Sequence, residues 1–145
     1  MKTVVSKKIR SENLTRNFLS GLVLHLSNRQ SFMQKMAVNI KKGDIYVMAN
    51  VGAIGHEQKG TRPHVVVTQV TGGTVTIAPC STVRKVRKYA IEIKPDSVNH
   101  LDKISFVLIS QAFASDTSGL GKKVGHLSES DVLRIQLEYV KYVTD

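Results

Sequence analysis

The stretch HVVVTQVTGGTVTIAP, residues 64–79, predicts a β-hairpin and so decides the class of the fold. Two runs rich in β-branched residues flank the turn Thr71-Gly72-Gly73. Because the two strands of such a hairpin are antiparallel, Pro63 and Cys80 are expected at about the same level. The start of the first strand and the end of the second therefore meet at one end of the hairpin.

Further short strands are predicted on both sides of this hairpin. Alternating residues predict strands over 43–50 and 89–94, and an apolar run predicts another over 104–109. Residues 119–125 are predicted to form a loop. This order predicts a mostly β (α+β) fold, in which a small, strongly bent, barrel-like sheet carries a helix packed on it.

The helix is predicted to begin after Ser128, which is followed by Asp131 at the spacing of a capping box. One apolar stripe runs along this helix, with further apolar residues beside it. The stripe consists of Leu133, Leu137 and Val140, and the flanking residues are Val132, Ile135, Tyr139 and Val143. We expect this C-terminal helix to be the one that packs on the sheet.

An N-terminal arm, residues 1–37, differs in composition from the predicted domain, residues 38–145. Seven basic residues against one acidic residue give the arm +6 of the formal net charge of +10. Apolar residues recur every four positions in it and predict an amphipathic helix; they are Leu14, Phe18, Leu22 and Leu26. Two interpretations stay open: the arm packs on the barrel, a partner or RNA, or translation starts at Met33 or Met36.

The composition restricts the class of protein and its partners. A net charge of +10 on 145 residues indicates a polyanionic partner. The single cysteine, Cys80, excludes an intrachain disulfide and suits a cytoplasmic protein, and no apolar run approaches the length of a membrane span. Neither a metal nor a cofactor is predicted, because no cofactor motif occurs and the histidines have no metal-ligand spacing with Cys80.

The loop GHEQKGTRP, residues 55–63, is the strongest candidate for a site, since it places an acid, basic residues and an imidazole on a glycine-bounded loop. His56 and Glu57 could serve as acid and base. Arg62 precedes a proline, which favours an extended backbone, and its guanidinium can hold a phosphate bidentately. A structural salt bridge of Arg62 with Glu57 or Asp44 is the competing interpretation.

Two further groups lie next to this loop if the hairpin forms. Ser81 and Thr82 end the second strand, where their hydroxyls either bind a phosphate oxygen or cap the next turn. The run RKVRK, residues 84–88, is either a track for RNA phosphates or a solvated hairpin tip. Cys80 is expected to pack as a small apolar side chain.

These motifs resemble those of the MazF/PemK/Kid toxins of bacterial type II toxin–antitoxin modules. The resemblance rests on GDIY at 43–46, GHEQKGTRP at 55–63, APCST at 78–82 and VGHL at 124–127, together with Gln111, Asp116 and Leu120. It covers about residues 40–143 and leaves out the arm. It implies a small SH3-like barrel of the MazF/PemK/CcdB type with a C-terminal helix, which forms a homodimer.

The resemblance also implies an activity, the metal-independent cleavage of single-stranded RNA at short sequences, which an acidic antitoxin protein holds in check. The 2′-hydroxyl would attack the adjacent phosphate, and Arg62 would stabilise the pentacoordinate phosphate or donate a proton. Ser81 stands where the family has its catalytic threonine or serine. Glu57 and His56 would shape the site or help in proton transfer. The residues predicted to bind RNA are Lys59, Thr61, Thr82, Arg84, Lys85, Arg87, Lys88 and Gln111.

Three positions depart from the family pattern. Ser110 stands where many relatives have an acid, Leu108 where some have an arginine, and Phe113 where the family often has a basic residue. Two rival hypotheses therefore stay open beside a ribonuclease toxin. One is a catalytically impaired RNA-binding or regulatory homologue, and the other is a toxin that targets a protein on a scaffold like that of the gyrase poison CcdB.

Overall fold

The computed structural model describes residues 16, 17, 19–21, 23, 24, 39–50, 52–58, 60–83 and 87–145. The chain divides into two units, residues 1–35 and residues 36–145. In the first unit, the described residues between 16 and 24 are helical, whereas the predicted apolar positions Leu14, Phe18, Leu22 and Leu26 lie outside the described residues. Within the described ranges, no helix is long and apolar enough to span a bilayer.

The second unit is built on one curled, antiparallel sheet. In the described part of the chain its strands are β1 (Asp44–Asn50), β2 (Gly60–Val66), β3 (Thr74–Ser81), β4 (Ala90–Ile93), β5 (Ser105–Leu108), β6 (Phe113–Asp116) and β7 (Lys122–His126). Their order is β4-β5-β3-β2-β1-β7, and β6 also pairs with β3. Two 3₁₀ turns, Ile109–Gln111 and Thr117–Gly119, and the C-terminal helix Glu129–Thr144 complete the unit. The expected mostly β fold with one C-terminal helix is confirmed.

The β2–β3 hairpin forms as its sequence predicts. Gly72 and Gly73 have φ values of +59° and +78°, as a two-residue hairpin turn of type I′ requires, and these angles favour glycine. The register pairs His64 with Pro79, which sets Pro63 and Cys80 at the same level as expected. Strand β2 begins earlier than its β-branched run because its first residues pair with β1.

Strand β3 changes partner along one of its edges, and this change bends the sheet. Its first half pairs with β6, from Thr74 opposite Asp116 to Ile77 opposite Phe113. Its end pairs with β5, where Ser81 lies opposite Phe106. The 3₁₀ turn Ile109–Gln111 connects β5 to β6 and therefore lies beside the end of β3, close to the start of β2.

Two apolar clusters pack against the sheet. Val65 belongs to the larger cluster and Val66 to the smaller one, because successive residues of β2 point to opposite faces. The larger cluster contains Ile45, Val65, Val67, Ala78, Cys80, Ile93, Leu101, Val107, Ile109, Leu127 and Ile135. Burial of both faces explains why residues 65–67 form a continuous apolar run rather than an alternating one.

The prediction of a loop over 119–125 is wrong, since β7 occupies Lys122–His126. Lysine and glycine are depleted in strands, so local composition conceals this edge strand, which pairing with β1 specifies. Gly125 also permits a close approach of the backbone: a Cβ there would lie 2.5 Å from the carbonyl oxygens of Val98 and Asn99. The sequence likewise does not predict strand β6, because its four residues give no clear periodicity.

The C-terminal helix is capped as predicted, since the Ser128 hydroxyl accepts a hydrogen bond from the Asp131 N–H. The face of this helix that packs on the sheet is not the face that carries the apolar stripe. Ile135 is buried, and Val132 and Tyr139 pack beside it against the larger cluster, so the flanking residues form the inner face. The stripe itself is exposed, at 55% for Leu133, 62% for Leu137 and 56% for Val140.

Candidate functional site

The loop 52–58 is shaped by a turn that Glu57 itself caps. The Ile54 N–H donates to Glu57 Oε2 at 2.8 Å, and the Glu57 N–H donates to the Ile54 carbonyl at 3.1 Å. Gly55, between them, has a φ of +56°. Both His56 and Glu57 are exposed, so both predicted acid–base residues lie where a ligand can reach them.

Gln111, the last residue of the 3₁₀ turn between β5 and β6, binds this loop through two hydrogen bonds. Its Oε1 accepts a hydrogen bond from the Gln58 N–H at 2.9 Å, and its Nε2 donates to the His56 carbonyl at 3.3 Å. On the other side, Asn50 Nδ2 donates to the Gln58 carbonyl at 3.1 Å. The backbone of Gln58 is therefore held from two elements, the end of β1 and the 3₁₀ turn.

Arg62 lies in β2, partly exposed, directly after this loop. Its Nη1 donates to Gln58 Oε1 at 2.7 Å and to the Cys80 carbonyl at 3.1 Å. Sequence reasoning did not assign Gln58 a role: it lies inside the GHEQKGTRP motif, but a glutamine in a loop carries no signal of its own. Only the fold shows that its side chain contacts the guanidinium.

Ser81 ends β3 and follows Cys80, whose carbonyl accepts a hydrogen bond from Arg62. Ser81 is only 4% exposed, and its Oγ accepts a hydrogen bond from the Val83 N–H at 3.3 Å, so it does cap the following turn. A hydroxyl that accepts one hydrogen bond can still donate its own hydrogen to a phosphate oxygen.

Cys80, next to Ser81, packs as a small apolar side chain, as predicted. It belongs to the larger apolar cluster, and burial raises the pKa of its thiol to about 12. The thiolate is the nucleophilic form of cysteine, so Cys80 contributes packing and its carbonyl oxygen, which Arg62 contacts, rather than a nucleophile.

The predicted phosphate track is described only in part, since Arg84 and Lys85 lie outside the described residues, as does Lys59 of the loop. Lys88 Nζ lies 4.6 Å from the centre of the Tyr89 ring and 3.7 Å from Asp145 Oδ2. The Ile109 N–H donates to the Tyr89 carbonyl, which joins this segment to the 3₁₀ turn of Gln111.

The remaining predicted RNA contacts are accessible to different degrees. Thr61 and Thr82, which neighbour Arg62 and Ser81 in the sequence, are exposed, and Arg87 is partly exposed. Gln111 is partly exposed, and its amide engages the loop backbone. The fold thus brings Arg62, Ser81, the 56–58 loop and Gln111 together at one end of the hairpin.

The three departures from the family pattern occupy distinct surroundings. Ser110 is exposed, whereas Leu108 is buried. Phe113 packs edge-on against His64, with ring centres 5.9 Å apart. His64 is fully buried and its Nδ1 lies 2.9 Å from the Arg62 carbonyl; burial lowers the pKa of this histidine, so the imidazole is neutral at pH 7 and can donate from Nδ1.

Asp44, the predicted alternative partner of Arg62, contacts other residues. Its Oδ1 accepts from Lys123 Nζ at 2.9 Å and lies 2.7 Å from His126 Nδ1, and its Oδ2 accepts from the Lys41 N–H at 2.9 Å. The carboxylate is fully buried. This cluster joins the start of β1 to β7. No group of three or more histidine, cysteine or acidic residues that could hold a metal occurs in the part of the chain that the structure describes.

Comparison with known proteins gives consistent matches. Residues 41–139 match the family described as PemK-like, MazF-like toxin of type II toxin-antitoxin system. The chain is similar to an endoribonuclease MazF of Staphylococcus epidermidis, with 30% identity over 101 residues that cover 66% of this chain and 84% of that protein.

Solved structures show the same fold at lower identity. The chain is similar to MazF from Deinococcus radiodurans, with a TM-score of 0.61, 17% identity and coverage of 73% of this chain and 97% of that chain. It is also similar to an endoribonuclease from a mycobacterial species in complex with its cognate antitoxin, with a TM-score of 0.58, 15% identity and coverage of 72% and 95%. At such identities the likeness shows the fold.

Proposed function

The chain belongs to the family of PemK-like, MazF-like toxins of type II toxin–antitoxin systems, and we propose that it is an endoribonuclease that cleaves single-stranded RNA at short sequences. The observation that carries the proposal is the position of Arg62, held by Gln58 and the Cys80 carbonyl at the end of the hairpin where β3 ends at Ser81, with an acid and an imidazole on the adjoining loop. Cleavage of messenger RNA would inhibit growth.

The reaction needs little from the protein beyond proton transfer and stabilisation of charge. The 2′-hydroxyl oxygen attacks the adjacent phosphorus while Glu57 or His56 accepts its proton. Arg62 stabilises the charge that develops on the phosphoryl oxygens, and Ser81 donates a hydrogen bond to one of them. The bond from phosphorus to the 5′-oxygen breaks, and that oxygen takes up a proton from the solvent, to which the base returns the proton that it accepted; a 2′,3′-cyclic phosphate and a 5′-hydroxyl remain.

The proposal is tested by incubating the purified protein with a long, weakly structured RNA in EDTA and mapping the product ends. We expect discrete cuts with 5′-hydroxyl ends. Arg62→Ala should lower the cleavage rate by about 10²–10³-fold, as removal of one transition-state donor commonly does. Ser81→Ala should lower it less, and Arg134→Ala, on the exposed helix surface, serves as the matched control.

Three outcomes would contradict this function. Ends that carry a 5′-phosphate, or cleavage that requires a metal, would exclude the 2′-hydroxyl mechanism. Salt-sensitive binding without cleavage would favour the RNA-binding homologue instead. Neither binding nor cleavage would favour a protein target.

We further propose that an acidic, partly disordered antitoxin binds this cytoplasmic toxin. The net charge of +10 supports an acidic partner, and two of the structurally similar toxins were solved with their antitoxins. A small acidic protein encoded next to this chain should suppress RNA cleavage when added in equimolar amount. Unchanged cleavage in its presence would contradict the pairing.

A homodimer is proposed on the exposed face of the C-terminal helix. Leu133, Leu137 and Val140 are more than half exposed there, and Val140 borders a groove of about 700 Å³ against the hairpin. Leu137→Glu should shift the mass in light scattering from dimer to monomer, whereas Glu138→Gln, the neighbouring residue, should leave it unchanged. A dimer that survives Leu137→Glu would place the interface elsewhere.

The domain boundary, residues 38–145 against the arm 1–37, is also a proposal. The family match begins at residue 41, which supports it. A chain that begins at Met36 should fold and retain RNA cleavage. Insoluble or inactive protein would make the arm part of the functional unit.

A further inference from the structure

A chain of hydrogen bonds leads from the core of the second unit to the Arg62 guanidinium. We propose that Gln58 is a positioning residue for Arg62, and that Gln111 acts as a clamp that keeps Gln58 in place rather than as a reader of RNA. This inference rests on the proposed role of Arg62 in RNA cleavage. It assigns a function to a glutamine pair that lies 53 residues apart in the sequence.

Gln58 is fixed at three points. Its N–H donates to Gln111 Oε1 at 2.9 Å and its carbonyl accepts from Asn50 Nδ2 at 3.1 Å, so the backbone on both sides of its Cα is held. Its side-chain Oε1 then accepts from Arg62 Nη1 at 2.7 Å. Since the backbone is immobilised, the position of Oε1 relative to the sheet is defined.

The guanidinium is held by oxygens from two different elements. Gln58 Oε1 belongs to the loop and the Cys80 carbonyl belongs to β3, and both accept from the same nitrogen, Nη1. Nη1 carries two hydrogens, and the guanidinium is planar, so two acceptors of Nη1 fix the plane of the whole group. The direction of its other N–H groups follows from that plane. A phosphate then meets a donor that does not have to reorganise.

Gln111 is suited to clamp the loop because its turn is anchored in the core. Ile109, at the start of the turn, is fully buried, and its N–H donates to the Tyr89 carbonyl at 2.9 Å. A glutamine amide has an acceptor oxygen and an NH2 nitrogen with two N–H donors, and here the oxygen accepts from the Gln58 N–H while the nitrogen donates to the His56 carbonyl. Both the oxygen and the nitrogen of the amide therefore bind the loop backbone.

The first test is a double-mutant cycle on RNA cleavage, with Gln58→Ala, Arg62→Ala and the double variant. We expect Gln58→Ala to lower kcat by about 10-fold with KM within about two-fold, because it weakens only transition-state stabilisation. The double variant should be no slower than Arg62→Ala alone. Gln69→Ala, an exposed glutamine at the other end of the hairpin, is the matched control.

The second test observes the positioning itself, without catalysis. Rotation about the Cζ–Nη bonds of Arg62 is measured by nitrogen-detected NMR in wild type, Gln58→Ala, Gln111→Ala and Gln69→Ala. We expect restricted rotation in wild type and Gln69→Ala and faster rotation in the other two. Gln111→Ala should also lower kcat more than it raises KM, which a role in reading RNA would reverse.

The outcomes separate the two hypotheses. If wild type cleaves RNA, Arg62→Ala does not, and the effects of Gln58→Ala and Arg62→Ala multiply, the positioning role is overturned and the proposed function stands. Unchanged rotation of Arg62 in Gln58→Ala overturns it as well. If Arg62→Ala cleaves like wild type, the proposed role of Arg62 fails, and the positioning role fails with it.

Discussion

Two charged residues lie near the starts of the adjacent strands β1 and β2, and their surroundings differ. Asp44 is fully buried and accepts hydrogen bonds from the side chains of Lys123 and His126 and from one backbone N–H. Arg62 is partly exposed and donates to a loop side chain and a strand carbonyl. A buried carboxylate surrounded by donors stabilises a fold, whereas a guanidinium fixed at an accessible loop is placed to bind an anion.

The comparison predicts that substitutions around Asp44 lower the stability of the fold but leave the rate of RNA cleavage unchanged. The largest effect is expected for Asp44→Asn, which keeps the shape but turns one oxygen into a donor that faces other donors. The free energy of unfolding should fall by roughly 2–4 kcal/mol. Urea denaturation measures it, with Asp102→Asn, an exposed carboxylate, as the control. If the free energy of unfolding fell no more than it does for Asp102→Asn, a stabilising role of Asp44 would be contradicted.

Gly125→Ala should have the next largest effect, because its Cβ would lie 2.5 Å from two backbone oxygens in the strand that pairs with β1. Overpacking of this kind costs about 1–3 kcal/mol. Gly119→Ala is the control, since its Cβ meets only the Ser115 hydroxyl, at 3.2 Å. Equal melting temperatures for the two variants would contradict the close approach at Gly125.

The stability of the fold should depend on pH through Asp44. Burial by itself raises the pKa of its carboxyl, but hydrogen bonds from Lys123, the Lys41 N–H and His126 outweigh burial and lower the pKa below its ordinary value. Its stabilising contribution is therefore complete above the pKa of the unfolded chain, about 3.9, and is lost as pH falls through the folded-state value.

Urea unfolding of wild type and Asp44→Asn between pH 7 and pH 3 measures this contribution. The free energy of unfolding should fall more steeply for wild type below about pH 4, so that the two curves converge. Titrating groups that do not contact Asp44, His64 among them, are present in both proteins and cancel in the difference. Parallel curves would show that Asp44 does not titrate with folding.

The smallest effect is expected at the helix that follows β7. Ser128→Ala removes the hydroxyl that accepts the Asp131 N–H and should cost about 1 kcal/mol of stability. Ser130→Ala, in the first turn of the same helix, is the matched control. A cost no larger for Ser128 than for Ser130 would mean that the cap contributes nothing.

The parts of the fold that local chemistry specifies were predictable from the sequence. The hairpin 64–79 and the helix start at Ser128 follow from turn glycines and a capping hydroxyl. Strand β7 was not predictable, because its lysines and glycines disfavour a strand and only the pairing with β1 specifies it. The exposed stripe of the helix could not be recognised either, since two apolar faces of one helix look alike in sequence.

Some residues of the candidate site are likewise predictable from the sequence, and others are not. Arg62 and Ser81 are recognisable because a hairpin brings its strand ends together, and their catalytic roles stay predictions. Glutamine is not a residue type that by itself indicates a site, so the sequence does not single out Gln58 and Gln111. Their contact depends on the bend where β3 changes partner. Contacts between residues far apart in the chain are what sequence patterns leave out.

The most direct measurement compares Arg62→Ala with Asp44→Asn in two assays, melting temperature and single-turnover RNA cleavage at a temperature where both proteins are folded. Arg62→Ala should melt close to wild type and lose about 10²–10³-fold in cleavage rate. Asp44→Asn should melt at a lower temperature and cleave RNA at close to the wild-type rate per folded molecule. An Asp44→Asn protein that is folded but inactive, or an Arg62→Ala protein that is unstable but active, would contradict the separation of the two roles.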